Sequence, residues 1–153
     1  MKLNIIFLGT TQGYGYTFSA SNMKTEFLSR GMYEQGSICT IINGVVGLKQ
    51  KDNRELLNKV FASVISYKSR FNQFIDWILN APQLYRDMKQ LRREGMKNVV
   101  VLEFPDYHVF LLYVLLSRML GYKITVISHE WGPTVKSTHW MRKPSVWIYA
   151  KTF

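Results

Sequence analysis

The sequence predicts a three-layer α/β domain built around a parallel sheet. Short runs rich in Val, Ile and Leu alternate along the chain with longer segments of helical periodicity. Runs of this kind are typical of strands buried on both faces, as the strands of a parallel sheet are. Strands that alternate with helices are joined by crossovers and share one sheet. We therefore expect helices on both faces of a central sheet.

Four strands are predicted, and each is apolar along nearly its whole length. They cover residues 2–8, 38–42, 99–102 and 123–128. The first ends at Gly9, where a glycine-rich loop begins. The predicted order across the sheet is second, first, third, fourth, with all four strands parallel.

Helical periodicity describes most of the intervening sequence. Met23, Phe27, Leu28 and Met32 form one apolar stripe, and Gly36 is the expected end of that helix. The pair Asn43-Gly44 predicts a turn after the second strand. A long helix is then predicted from an apolar series at Leu56, Leu57, Val60, Phe61, Val64 and Ile65, which continues at Phe71, Phe74, Ile75, Ile78 and Leu79.

The later helices are predicted from the same pattern. Pro82 suits the first turn of a new helix, whose inward side carries Leu84, Met88 and Leu91. Residues 107–120 are apolar on nearly every side, which predicts a helix enclosed by other elements. One or two further helices are expected within 137–150, interrupted by Pro144.

Composition limits the classes of protein that fit. The chain has 153 residues, is 47% hydrophobic and carries a formal net charge of +10. This length suits one domain with a real core, and the charge favours an anionic partner such as a phospholipid surface or a nucleotide. The longest apolar run, residues 109–116, is shorter than the roughly 20 residues that cross a bilayer. The one cysteine, Cys39, is expected to be buried, which fits a reducing compartment.

Three loops follow predicted strands, at the sheet edge where open α/β folds bind ligands. The first contains Gly13, Tyr14 and Gly15, whose backbone is suited to approach a phosphate or a sugar. The alternative is a turn with no ligand. Phe18 stands where a dinucleotide fingerprint needs its third glycine, and no Gly-Lys-Ser/Thr triplet exists, so a nicotinamide cofactor is disfavoured and a P-loop is excluded.

The other two loops carry titratable side chains. Glu103, Asp106 and His108 follow the third strand, and a carboxylate there is suited to act as a base or to bind a sugar hydroxyl. An alternative role for Asp106 is to cap the next helix. His129 and Glu130 follow the fourth strand, where they either bind a polar ligand or form a local turn. Because the second histidine of His-Glu-x-x-His is absent, a zinc peptidase is excluded.

These residues together resemble the N-terminal domain of glycosyltransferase family 4, which has the GT-B fold. The resemblance spans the chain and depends on residues 18–23, Leu102-Glu103-Phe104-Pro105-Asp106 and residues 126–132. It implies that residues 1–153 form a Rossmann-like acceptor-binding half, truncated before its last strands and its C-terminal donor domain. The full-length protein would then be a glycosyltransferase, and the fragment alone would be inactive.

The resemblance also implies substrates and roles. The donor would be a nucleotide-sugar and the acceptor a glycan or a lipid-linked molecule, with no metal or other cofactor, in the cytoplasm. Candidate catalytic residues are Glu103, Asp106 and His108, and candidate donor- or acceptor-binding residues are Gly13, Tyr14, Gly15, His129 and Glu130. Many family members carry a histidine just before the proline at the third-strand end. This chain has Phe104 there, so the catalytic role passes to the three candidates.

Two other interpretations concern binding. A non-catalytic, flavodoxin-like nucleotide- or partner-binding module is the alternative function. Nucleic-acid binding is disfavoured because no recognised motif is present. A basic cluster at Arg86, Lys89, Arg92 and Arg93, with Trp140 and Trp147 as interfacial anchors, predicts peripheral attachment to an anionic membrane.

Overall fold

A computed structural model describes residues 2–10, 14, 20–46, 54–68, 73–103 and 107–127. It contains one six-stranded sheet in the order β3-β4-β2-β1-β5-β6. The strands are β1 (Leu3–Thr10), β2 (Ile38–Val46), β3 (Arg54–Asn58), β4 (Ser63–Lys68), β5 (Lys97–Glu103) and β6 (Lys123–Ile127). The helices are α1 (Ala20–Glu34), α2 (Gln73–Leu91) and α3 (Tyr107–Met119).

The parallel core is confirmed. The four predicted strands correspond to β1, β2, β5 and β6, and they lie in the predicted order β2-β1-β5-β6 with every pairing among them parallel. The pairs Leu8↔Ile42 and Leu8↔Leu102 place the carboxyl ends of β1, β2 and β5 side by side. The α/β fold class predicted from the sequence is therefore correct.

The predicted helix across residues 56–65 is wrong, because this segment is a hairpin of β3 and β4. The two strands pair antiparallel, with Leu57 opposite Val64, and Lys59 and Ala62 exchange backbone hydrogen bonds in the turn. Val64 packs into the core on one face of the sheet and Ile65 into the core on the other. A strand buried on both faces is apolar at consecutive positions, and such a run also satisfies a helical pattern.

Two predicted breaks are also wrong. Pro82 lies inside α2, which continues as a single helix from Gln73 to Leu91. Asn43 and Gly44 lie inside β2, where the pairing shifts register between Ile42 and Val45. A matching irregularity occurs in β1 at Gly9, whose φ of 96° is accessible to glycine at little cost. The strand therefore continues through Gly9 to Thr10.

The sheet is covered by α2 and α3 on one face and by α1 on the other. The larger core cluster joins α2 and α3 to β1, β2, β4 and β5 through buried residues that include Ile6, Leu102, Met88 and Tyr113. The smaller cluster lies on the α1 side and includes Phe7, Tyr14 and Cys39, so the predicted burial of Cys39 is confirmed. Helix α1 ends before Gly36, as predicted. Gly36 has a φ of 78°, and the N–H of Ser37 donates to the carbonyl of Met32 at 3.0 Å, which closes the last turn.

The outer surfaces of the helices differ from the prediction. On α1, Met23 and Phe27 face solvent, and Phe27 is 68% exposed, while Asn22, Thr25 and Ser29 are buried against the sheet. On α3, which was expected to be enclosed, Leu111, Leu115 and Met119 are exposed on one side. Among the described residues, no helix is both long and apolar enough to cross a bilayer. Residue 128, the predicted end of the fourth strand, and the helices predicted within 137–150 lie outside the described residues.

Candidate functional site at the carboxyl edge of the sheet

The carboxyl edge of the sheet brings together the loop after β1, the irregular part of β2 and the end of β5. Thr10 pairs with Asn43, and Leu8, two residues earlier, pairs with Leu102, the residue before Glu103. Glu103 in turn pairs with Ile127, the last residue of β6. Tyr14 is joined to Asn43 by hydrogen bonds. Tyr14 and Glu103 therefore occupy the same edge, on either side of the end of β1.

Asn43 holds the loop after β1 with both atoms of its side-chain amide. Its Oδ1 accepts the backbone N–H of Tyr14 at 2.9 Å, and its Nδ2 donates to the backbone carbonyl of Tyr14 at 2.9 Å. Nδ2 also donates to Ser66 Oγ on β4 at 2.8 Å. Because Asn43 is fully buried, these bonds satisfy groups that would otherwise be costly to remove from water. The loop is thus fixed to β2 and β4 at one residue.

The Tyr14 side chain is an anchor rather than an exposed ligand contact. It is 2% exposed and packs between α1 and the sheet. Its hydroxyl donates to Glu26 Oε2 at 2.8 Å, and Lys59 Nζ lies 4.6 Å from the centre of its ring. Burial, and then the hydrogen bond to Glu26, raise the pKa of Tyr14 well above its ordinary value, so the hydroxyl keeps its proton at neutral pH.

The carboxylate of Glu26 connects this anchor to the surface of α1. It accepts the Tyr14 hydroxyl, and its Oε1 lies 2.6 Å from Nη2 of Arg30, one turn later. The hydrogen bond from Tyr14, reinforced by Arg30, lowers the pKa of Glu26. Arg30 also lies over the ring of Phe61, 4.6 Å from its centre. Helix α1 is therefore bound to both the loop residue Tyr14 and the β3–β4 turn.

Glu103 is buried at the end of β5 and is held by α1. It is 2% exposed, and the hydroxyl of Thr25, itself fully buried, donates to its Oε1. A buried carboxylate is costly unless hydrogen bonds stabilise it, and Thr25 supplies one of them. Thr25 thus joins α1 to the end of β5. The position of this carboxylate is therefore set by its contact with α1.

The remaining sequence-predicted residues are placed only in part. His108 lies in the first turn of α3, directly after the β5 end. Gly13, Gly15, Asp106, His129 and Glu130 lie outside the described residues.

The sequence interpretation missed three residues that organise this edge, namely Asn43, Thr25 and Glu26. Asn43 was interpreted as part of a turn. A signal for Thr25 existed, since Asn22, Thr25 and Ser29 recur at the spacing of one helical face in a helix between two buried strands. For Glu26 the sequence carries no comparable signal.

No protein-family model matches the chain, and no curated protein matches it. Among solved structures, an α,α-trehalose-phosphate synthase (UDP-forming) from Burkholderia vietnamiensis is 13% identical with a TM-score of 0.49. An α,α-trehalose 6-phosphate synthase from Burkholderia multivorans is 12% identical with a TM-score of 0.45. Each match covers 82% of this chain and 32% of the other, so the chain spans about a third of those proteins. Likenesses this distant identify no family, substrate or reaction for this chain.

Proposed function

We propose that this chain is the acceptor-binding, N-terminal half of a GT-B glycosyltransferase, of the kind that family 4 exemplifies. The enzyme would move a sugar from a nucleotide-sugar to a glycan or a lipid-linked acceptor. The observation that carries the proposal is the juxtaposition at the carboxyl edge of the Asn43-clasped loop and the buried carboxylate of Glu103. This edge is where open parallel sheets bind their ligands.

In this proposal the loop after β1 presents backbone groups to the donor phosphates. Tyr14 is its fixed point, because Asn43 binds the backbone of Tyr14 and Glu26 binds its hydroxyl. Gly13 and Gly15 flank that point in the sequence, and glycines permit close approach of the backbone to a phosphate. A loop that is already fixed at one residue loses less conformational entropy when it binds. No metal or other cofactor is invoked for this step.

Glu103 is the proposed base, or the acceptor of a hydrogen bond from the sugar hydroxyl. Asp106 and His108 are the other candidates, because they follow the same strand end. His129 and Glu130, which follow β6 in the sequence, are proposed to contact donor or acceptor. A positioned general base contributes roughly 100- to 10,000-fold to a rate. The bond from Thr25 supplies the fixed geometry that such a role requires.

The donor-binding half is proposed to lie in another part of the protein. A GT-B active site is formed between two domains, so the isolated chain is expected to transfer no sugar and to bind nucleotide-sugars weakly. We place the enzyme in the cytoplasm. Transfer by the purified 153-residue chain alone would contradict this part of the proposal.

A matched pair of buried carboxylates tests the role of Glu103. Glu103 and Asp87 are both 2% exposed, and each accepts a hydrogen bond from a hydroxyl, of Thr25 and Tyr67 respectively. In a protein that joins this chain to a donor-binding half, Glu103→Gln is expected to lower kcat at least about 100-fold. Asp87 lies on α2, on the face of the sheet opposite α1, and Asp87→Asn is expected to change kcat less than about threefold. Both variants are expected to lower the free energy of unfolding by roughly 1–3 kcal/mol.

Urea unfolding of both variants and steady-state kinetics with a panel of nucleotide-sugars make the comparison. If the two variants lose kcat equally, Glu103 is a structural carboxylate. Titration of the isolated chain with the same nucleotide-sugars distinguishes the glycosyltransferase half from the alternative function, a non-catalytic binding module. Tight binding without transfer would favour the flavodoxin-like binding module.

A further inference from the structure

The outer face of α2 and α3 exposes only positive charge among its described side chains. The two acidic residues of α2, Asp76 and Asp87, are each 2% exposed, and α3 has no acidic residue. Asp87 is bound inside the core by Tyr67 and by Gln83 Nε2 at 3.0 Å. The charged side chains that remain at the surface of these helices are Arg86, Lys89 and Arg118. The net formal charge of α2 and α3 therefore understates how positive their exposed surface is, because the two aspartates counted in it are buried.

The positive charge extends to the adjoining amino edge of the sheet. Arg92 and Arg93 follow α2 directly, and Lys97 and Lys123 begin β5 and β6, all four with exposed side chains. Glu94 is the one acidic residue among these basic positions, within residues 92–97. Lys89 and Arg118 lie in the last turns of their helices, where they also complement the helix dipole. The dipole does not account for the basic residues beyond the helix ends.

Large aliphatic side chains are exposed on the same two helices. Ile78 and Leu79 of α2 and Leu115 and Met119 of α3 are each more than half exposed. Leu111, Leu115 and Met119 recur every four residues, which makes one stripe along α3, and α3 packs directly against α2. Contiguous exposed apolar side chains at a protein surface mark an interaction site, whereas single ones are ordinary.

We propose that this α2–α3 face is a docking surface for an anionic phospholipid bilayer. Basic side chains bind the lipid phosphates, at about 1 kcal/mol for each Lys or Arg near the membrane surface. The aliphatic side chains enter the boundary between headgroups and acyl chains, as those of interfacial amphipathic helices do. A nucleic acid would satisfy the charge but would leave the Ile, Leu and Met side chains in water. The combination therefore fits a lipid surface best, whatever reaction occurs at the carboxyl edge.

Sedimentation of the chain with lipid vesicles tests the proposal. Vesicles of phosphatidylcholine are compared with vesicles that also contain phosphatidylglycerol, each at low and at high salt. We expect binding to the anionic vesicles only, weakened by salt because screening shortens the reach of surface charges. Arg86→Gln/Lys89→Gln is expected to lower the partition coefficient about 30-fold. Leu115→Gln is expected to weaken binding at both salt concentrations.

The controls are on α1, which covers the opposite face of the sheet. Lys24→Gln on α1 is compared with Lys89→Gln on α2, since each removes one charge, and Phe27→Gln removes an aromatic side chain of comparable exposure. Both controls are expected to change partitioning less than about threefold, and circular dichroism checks that every variant folds. Equal losses in Lys24→Gln and Lys89→Gln, or binding that ignores lipid charge, would overturn the proposal. So would tighter binding to RNA than to vesicles, or self-association of the chain that Leu115→Gln abolishes.

Discussion

At the scale of single residues, Asn43 shows how one side chain determines a loop. It is the only described side chain that binds both the N–H and the carbonyl of Tyr14. An asparagine amide matches a backbone peptide in having one donor side and one acceptor side. Asn43 thus continues the sheet pairing beyond β1, at the point where the β1–β2 register becomes irregular.

Replacement of Asn43 by alanine is expected to lower the free energy of unfolding by about 3 kcal/mol. The buried N–H and carbonyl of Tyr14 and the hydroxyl of Ser66 each lose a partner, and each such loss costs about 1–3 kcal/mol, without strict additivity. Ser66→Ala removes only one of these bonds and is expected to cost about 1 kcal/mol. Urea unfolding measures both. Hydrogen exchange at the Tyr14 amide should accelerate in Asn43→Ala but not in Ser66→Ala.

If the two variants lose the same stability and leave the Tyr14 amide equally protected, Asn43 does not hold the loop. The sequence located this loop but not its anchor. Gly13 and Gly15 drew attention to backbone freedom, whereas the restraint depends on residues 29 and 12 positions away along the chain, Asn43 and Glu26. Contacts at that sequence separation leave no local periodicity to detect.

At the scale of elements, α1 buries polar as well as apolar residues against the sheet. Of its predicted apolar stripe, Leu28 and Met32 pack against the core, whereas Met23 and Phe27 face solvent. Thr25 and Ser29 are buried on the sheet side. The hydroxyl of Thr25 points inward and donates a hydrogen bond to Glu103. The backbone carbonyl of Ser29 accepts a hydrogen bond from the Cys39 thiol at 3.6 Å. The prediction of a single apolar stripe assumed that hydrophobic residues alone decide which face is buried. Here buried Thr25 and Ser29 share that face with Leu28 and Met32.

The β3–β4 hairpin failed prediction for a related reason. Leu56, Leu57, Val64 and Ile65 fit helical spacing, but the strands carry apolar residues on both faces of the sheet. The length of the uninterrupted segment favoured a helix, because no glycine or proline between residues 54 and 68 marks a turn. The pairing of β4 with β2, which is a long-range contact, determines the outcome.

Pro82 gives a direct test at the element scale. It lies near the middle of α2 with an exposed ring, and it lacks the N–H that would bond to the carbonyl of Ile78. Pro82→Ala restores that bond and is expected to raise the free energy of unfolding by about 1–3 kcal/mol. Gln90→Ala, also exposed on α2, should change it by less than about 0.5 kcal/mol. Urea unfolding compares the two, and a loss of stability in Pro82→Ala would mean that the ring makes contacts worth more than the missing bond.

At the scale of the whole molecule, the sequence predicted the parallel core and missed its edge. The strands β1, β2 and β5 are apolar and contain β-branched residues, as strands buried on both faces of a sheet do. The sheet then requires that Glu103 and the loop after β1 share an edge, so that part of the candidate site followed from topology. The surface of α2 did not follow, because no pattern in the sequence says that Asp76 and Asp87 are buried.

A buried thiol and several buried tyrosine hydroxyls should make the stability of the whole fold sensitive to alkaline pH. Burial raises the pKa of the Cys39 thiol from 9.0 to about 11, and it raises the pKa of Tyr122 from 10.0 to about 12 against the opposing charge of Arg92. Burial also raises the pKa of Tyr113 well above its ordinary value. Each group keeps its proton in the folded state after the unfolded chain has lost it. Stability is therefore complete below the unfolded pKa and falls as pH rises toward the folded pKa.

Cys39 should dominate the beginning of this loss, because its unfolded pKa of 9.0 is the lowest of the set. Between about pH 9 and pH 11 the free energy of unfolding is expected to fall by about 1 kcal/mol per pH unit from this group. Cys39→Ala removes the thiol, so its stability should stay level from about pH 9 to pH 10 and fall only when the tyrosines begin to titrate. Urea unfolding under reducing conditions, at steps from neutral pH upward, measures both proteins. The alanine variant is also expected to be less stable at neutral pH, but that offset is independent of pH. Parallel curves for the two proteins across this range would show that the thiol is not the group that titrates first.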